Sequence, residues 1–275
     1  MSRDAGTIHA MSVKWISSRD NPDFRHLNAL ASDGRTRRAT GETLLDGAHL
    51  VEEARVAGLS LGMVAVTEAS LPNWSGRVGG TPILVLPEAL LRSLSPVATP
   101  SGVVASLRVP LSADSVETGD VLLLEDVQDP GNLGALLRTA AAAGVRRIWL
   151  SRGCAEAWSP KALRGGQGAQ FRVQIRAGLD LVAEATQCAI PVYAAALDAE
   201  RSLYDLDLAG HLDLDRPLAF AFGNEGAGLS VELRAVTTAF SIPMPGGTES
   251  LNVAAACAIT LFERVRQRLA MQSRG

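Results

Sequence analysis

Glu249, Ser250 and Asn252 put a carboxylate, a hydroxyl and an amide at the seam of "IPMPGGTESLNVAAACAITLFERV" (242–265), where a glycine loop becomes an apolar helix. Ser250 can cap a helix beginning at Leu251 by accepting a hydrogen bond from a free first-turn N–H. A purely structural helix start needs no more than that. Asn252 would then lie in the first turn, where unpaired N–H groups favour an electron-rich ligand. The surplus polarity points to a site.

Two further loops carry groups of the same kind. In "EDVQDPGNLGALLRTA" (125–140), Asp129-Pro130-Gly131 makes a tight turn and Asn132 is placed to cap the helix that follows. Arg138, two turns into that apolar helix, is not explained by a turn or a cap. It either snorkels to solvent or grips a phosphate with its planar fork of donors. In "FGNEGAGLS" (222–230), glycines 223, 226 and 228 let backbone approach a ligand closely. Their G-x-x-G-x-G order reverses the dinucleotide fingerprint, and Glu225 at the tip would repel a pyrophosphate. Both features argue against a nicotinamide oxidoreductase.

Positioning these loops takes a sheet. "VLLLED" (121–126) is a continuous apolar strand, as expected where helices cover both faces. Strands at 146–151, 171–175, 191–197, 217–223 and 239–244 follow it, with helices at 132–144, 160–167, 179–188, 229–236 and 251–269. Leu251, Ala254, Ala258, Leu261, Val265 and Leu269 would form the apolar face of the last helix. Such alternation predicts an α/β fold with a parallel sheet wound on both faces, whose ligands sit outside the carboxyl ends of the strands. Upstream, a polar helix over 21–38, strands at 42–47, 61–66, 83–86 and 103–107, and helices at 48–58 and 87–94 predict a smaller α/β domain. The expected division is a leader (1–12), a first domain (13–110), a linker (111–120) and a second domain (121–275).

With 275 residues there is room for two domains, and a hydrophobic content of 47% supplies their cores. A net charge of −3 gives no whole-chain preference for polyanions, although the first forty residues are locally basic. Cys154, Cys188 and Cys257 match no zinc or redox spacing and read as small buried hydrophobes. His9, His26, His49 and His211 form no local ligand pair, so no metal is expected. No apolar run reaches the ~20 residues of a membrane span and no signal peptide is visible, which implies the cytoplasm.

Taken together and in order, "DPGNLGALLRTA", "FGNEGAGLS" and "IPMPGGTESLNVAAA" resemble the three motifs of the SpoU/TrmH family of RNA ribose 2′-O-methyltransferases, in the SPOUT superfamily. Residues 159–175 are similar to the family's intervening segment. Residues 42–58 resemble its frequent amino-terminal substrate-binding domain, related in fold to ribosomal protein L30e. The resemblance implies a parallel-sheet domain closed by a deep trefoil knot, S-adenosylmethionine (SAM) as cofactor, and a homodimer through the knotted domain. It assigns Gly223, Asn224, Gly228, Ile242, Met244 and Leu251 to the cofactor, and Arg138, Asn132, Glu225, Ser250 and Asn252 to catalysis. The implied substrate is RNA, with 23S ribosomal RNA first and transfer RNA as the alternative. Alanine- and arginine-rich text is compatible with a high-GC organism, where such enzymes can confer antibiotic resistance. A non-catalytic RNA-binding module is disfavoured because every polar motif position is present.

Overall fold

The computed structural model describes residues 12–95, 97, 100–110, 118–209 and 216–273. Residues 1–11 of the expected leader, 111–117 of the expected linker, and His9 and His211 lie outside that set. The described residues form two compact units, one running to Pro110 and including Trp158–Pro160, the other built from the remainder.

In the first unit the stretch expected as one polar helix is two. Asn21 accepts the N–H groups of Asp23 and Phe24 and starts α1 (Pro22–Ser32). Asp33 does the same for Arg35 and Thr36 and starts α2 (Gly34–Thr40). A side-chain cap in mid-stretch ends one helix and begins the next. Phe24, Leu27 and Leu30 of α1 then pack on Leu44, Ala65, Leu84 and Val104 of the sheet. That sheet has the order β1-β4-β3-β5-β2, with β1 Val13–Trp15, β2 Glu42–Asp46, β3 Leu61–Thr67, β4 Ile83–Leu86 and β5 Val103–Arg108. Strands β1, β4 and β3 run parallel, while β5 is antiparallel to β3 and β2. The three-residue β1 was not expected, since so short a run carries no readable alternation. Helices α3 (Ala48–Val56), α4 (Leu71–Trp74) and α5 (Glu88–Leu94) complete the unit.

The second unit is a parallel sheet of order β11-β9-β10-β6-β7-β8. Its strands are β6 Val121–Leu124, β7 Arg147–Ser151, β8 Gln174–Leu179, β9 Val192–Ala195, β10 Ala219–Phe222 and β11 Thr238–Phe240. β8 starts later than expected because Ala169–Phe171 form a tight helical turn first. β11 stops at Phe240, short of the expected 244, and the chain continues as loop. Helices α6 (Pro130–Ala142), α7 (Pro160–Gly166), α8 (Leu181–Gln187), α9 (Val231–Ala235) and α10 (Val253–Gln272) cover the sheet, and α10 packs on α6. Of the cysteines only Cys257 is fully buried, Cys154 and Cys188 being half-buried.

The apolar face expected for the last helix is displaced. Cys257, Thr260, Leu261 and Arg264 are buried, whereas Leu269 is exposed and Leu251 lies ahead of the helix. Arg264 explains the rotation. Its Nε donates to Asp120 Oδ2 (2.5 Å), its Nη2 to Oδ1 (2.6 Å) and to the Arg216 carbonyl (2.8 Å), and its Nη1 to the Leu208 carbonyl. Burial pulls the guanidinium below the usual arginine range, and the Asp120 carboxylate opposes that pull. Without Arg264 the buried Asp120 carboxylate keeps only its longer ion pair to the half-buried Arg268, at 3.3 Å. Arg264→Ala should therefore cost about 3–5 kcal/mol in urea denaturation. A loss below about 1 kcal/mol, the scale of an exposed pair, would contradict this.

Candidate active site

Strands β6 and β10 are neighbours, yet the chain leaves β6 towards β7 on one side and reaches β10 from β9 on the other. Such a switch point opens a crevice at the carboxyl ends of the two strands. The loop after β6 and the loop after β10 meet there and grip each other. Glu125 accepts both the N–H and the hydroxyl of Ser230, each at 2.7 Å. Two residues past β6, Asp126 adopts a left-handed conformation (φ 53°), and its carbonyl accepts from Asn224 Nδ2 at 2.9 Å. Ser151 holds the Asp126 carboxylate at 2.5 Å.

Within the second loop Asn224 does most of the organising. Its backbone exchanges two hydrogen bonds with Gly228, and its side-chain oxygen accepts the N–H groups of Gly226 and Ala227. A Cβ on Gly223 would stand 2.2 Å from the Gly228 carbonyl, so the glycine is required by the loop's own closure. Gly228 adopts φ +71°, which other residues reach only with strain.

Both expected caps are corrected. Asp129, not Asn132, caps α6 by accepting the Asn132 N–H at 2.9 Å, and Lys161 pairs with the same carboxylate at 2.6 Å. Asn252, not Ser250, caps α10 by accepting from Ala254 (2.9 Å) and Ala255 (3.3 Å). These corrections free the Asn132 side chain and fix that of Asn252. With its oxygen committed to backbone N–H groups, Asn252 can turn only Nδ2 outward, and this donates to Asn132 Oδ1 at 3.1 Å. Asn132 Nδ2 must then face Glu225 Oε1, which it meets at 3.0 Å. The helix terminus at one end and the carboxylate at the other leave neither amide free to flip.

Burial acts to raise the pKa of Glu225, but hydrogen bonds from the Asn132 amide and the backbone N–H groups of Glu225, Asp129 and Gln128 outweigh it. The carboxyl stays below the ordinary glutamate value, so its charge is retained through the neutral range.

Beside this chain lies a cleft of about 180 Å³. Gly223, Asn224, Gly228, Ile242, Met244 and Leu251, the six residues expected around a cofactor, all line it, as do Glu225 and Ser250. The structure thus gathers Asn132, Glu225 and Asn252 into one network and sets Ser250 on the cleft wall. It does not bring Arg138 in. Arg138 is exposed on α6 with no hydrogen-bond or ion-pair partner among the described residues. Glu125, Asp126 and Ser230 were missed. Ser230 has the form of a helix cap, but its tie to Glu125 spans 105 positions and leaves no local signal.

The lining suits a cofactor that is apolar and cationic. Ile242, Met244 and Leu251 give an aromatic ring a greasy wall, and the ionised Glu225 favours positive charge. Among the described residues no group of three or more His, Cys, Asp or Glu is arranged to hold a metal, and no helix is long and apolar enough to cross a membrane.

Residues 120–262 match the model of the SpoU rRNA Methylase family, and residues 16–105 match that of the MRM3-like substrate binding domain. The chain is 34% identical to an uncharacterized tRNA/rRNA methyltransferase of Synechocystis sp., covering 96% of this chain and 97% of that one. It is 33% identical to RlmP, a 23S rRNA guanosine 2′-O-methyltransferase of Bacillus subtilis, over 91% and 98%. Among solved structures it resembles the AdoMet-bound rRNA methyltransferase of Sinorhizobium meliloti, with a TM-score of 0.79, 28% identity, and coverage of 92% and 98%.

Proposed function

The chain belongs to the SpoU rRNA methylase family, and from that premise we propose that it methylates a ribose 2′-hydroxyl of 23S ribosomal RNA. The observation that carries the site assignment is the Asn252–Asn132–Glu225 chain ending at the rim of the cleft. SAM, the cofactor of this family, supplies a methyl group on a sulfonium that is already a good leaving group. Gly223, Asn224, Gly228, Ile242, Met244 and Leu251 would hold it, with Glu225 beside its positive charge. When bound, it would supply that methyl carbon to the ribose 2′-oxygen, with sulfur keeping the electron pair of the broken carbon–sulfur bond.

The protein's tasks are alignment and help for a very weakly acidic hydroxyl. Holding the reactants in line is worth about 7–11 kcal/mol in favourable cases. The guanidinium of Arg138 carries five N–H donors and no acceptor, so it serves as a donor. It grips the target phosphate and stabilises charge growing on the 2′-oxygen, and that phosphate takes the hydroxyl proton. Ser250, Asn132 and Asn252 orient the ribose, with Glu225 anchoring them.

Residues 13–110 read as the RNA-binding domain of L30e-like fold, and the loops 223–230 and 245–252 as the wrapped parts of a trefoil knot. The cytoplasm is the compartment that fits, and resistance to a ribosome-directed antibiotic is a physiological role consistent with the reaction. Tritiated SAM offered with ribosomal RNA and with transfer RNA, followed by mapping of 2′-O-methyl positions, tests the reading. Label in 23S RNA is expected. Label in transfer RNA alone would move the enzyme to the other substrate, and label in neither would remove the proposal.

A homodimer is part of the same reading. Phe262 and Leu269, 48% and 58% exposed, stand seven residues apart on α10 and so share one face that a second copy would cover. Arg138, solvent-exposed and unpartnered among the described residues of α6, would then complete the neighbouring copy's site. Light scattering should report a dimer at micromolar concentration. Phe262→Asp should yield folded monomer with little methyl transfer. A wild-type monomer at that concentration would end this part of the proposal.

A further inference from the structure

The first unit contains a cleft of about 660 Å³ that no step of the methyl transfer uses. It lies outside the carboxyl ends of β1, β4 and β3, three adjacent parallel strands on which Trp15, Val85 and Val66 occupy one row. Its floor is apolar and buried, formed by Ile16, Val85 and Leu86. Its rim carries Trp15, Glu68 and Glu88.

Two features of the rim bear on what could bind there. Trp15 is 63% exposed, whereas Trp74 and Trp149 are 6% and 5%. An indole in water at the mouth of a cleft presents a flat apolar face. Glu68 and Glu88 are exposed and have no hydrogen-bond or ion-pair partner among the described residues. Two unpaired carboxylates repel a phosphate backbone, so the cleft is unsuited to tracking a nucleic-acid strand by its charge. They accept hydrogen bonds and donate none. The complementary ligand is a flat ring whose edge carries adjacent N–H donors.

We propose that this cleft receives an unstacked guanine base of the RNA substrate, stacked on Trp15 and read by Glu68 and Glu88. The proposal rests on the reading of RNA as substrate. Guanine shows an imino and an amino N–H side by side on its Watson–Crick edge, which one carboxylate can accept together. Uracil shows one N–H between two carbonyls, which a carboxylate repels. Unstacked bases held on an aromatic face and bonded along that edge are the usual form of sequence-specific RNA recognition.

The test uses the full-length protein and a dye-labelled oligouridylate carrying one central guanosine, its all-uridine parent, and a version with inosine, which lacks the amino group. Wild type should bind the guanosine oligomer about tenfold or more tighter than the parent, with inosine between them. Trp15→Ala should weaken binding of the guanosine oligomer by about 5- to 100-fold, and Trp15→Phe should retain most of it. Combined Glu68→Gln and Glu88→Gln should erase the preference for guanosine while leaving binding of the parent unchanged or tighter. If the alanine variant and the glutamine pair both keep wild-type affinity and preference, the cleft does not read a base. Methyl transfer to ribosomal RNA by wild type is measured in parallel. An active wild type with indifferent variants removes this inference alone. A wild type that neither binds nor methylates RNA removes the underlying reading with it.

Discussion

Arg138→Ala should lower methyl transfer by about a hundredfold or more, the scale of losing one donor to developing transition-state charge. Stability should stay within about 0.5 kcal/mol of wild type, because the side chain is exposed and touches no partner among the described residues. SAM affinity should also hold, since Arg138 is not among the residues lining the cleft. Arg138→Lys should rescue poorly, because a point charge cannot reproduce a planar fork. Placement in the fold sharpens the expectation. Asn132 and Arg138 are six residues apart on α6, which separates them by about 9 Å along the axis and turns them to different faces. Mixing Arg138→Ala subunits with Asn132→Ala subunits therefore distinguishes two arrangements. If the arginine acts across the dimer, each mixed dimer regains one intact site, and a random mixture recovers about a quarter of wild-type activity. If it acts within its own subunit, every site stays defective. Near-normal turnover in the alanine variant, measured on the true RNA, would take Arg138 off the catalytic list.

The loops that meet at the switch point were legible because each is announced locally, by an apolar strand, then turn residues, then helical spacing. The caps within them were not. "DPGN" offers both Asp129 and Asn132 to the α6 terminus, and "ESLN" offers both Ser250 and Asn252 to α10. Local capping preference hardly separates aspartate, asparagine and serine. What decides is tertiary. Asn132 is recruited by Glu225 and Asn252, 93 and 120 positions away. The same limit hid the Glu125–Ser230 clasp, and it hid Arg264, which reads as an ordinary solvent-facing charge until Asp120 is found 144 positions upstream. The break at Asp33 is a different case. "SDG" in the polar stretch is a stop-and-cap signal, and it was readable.

The Asn252–Asn132–Glu225 chain yields the second large effect, through substitutions that change charge with little change of shape. Asn132→Asp puts two carboxylates where an amide and a carboxylate now meet at 3.0 Å. Both cannot ionise at that separation, so one takes up a proton or the chain opens. Turnover near pH 8 should fall about a hundredfold or more, on the scale of losing a catalytic donor, and SAM should bind more weakly because Glu225 lines the cleft. The sign with pH follows from the pair. Its upper pKa is raised, so lowering the pH through that value restores a shared hydrogen bond and part of the activity. Adding Glu225→Gln to Asn132→Asp moves the negative charge by one side chain and reverses the bond. The new amide at position 225 then donates to the new carboxylate at position 132. Asn252 keeps its acceptor, and the Gln128 N–H keeps an amide oxygen within reach. Only the weak bond from the Asp129 N–H, at 3.3 Å, is lost. The double variant should recover to within about tenfold of wild type, a coupling well beyond additive behaviour. If it is as inactive as Asn132→Asp alone, then the Asn132 amide acts on the ribose without help from its bond to Glu225, and the anchoring role given to Glu225 is wrong.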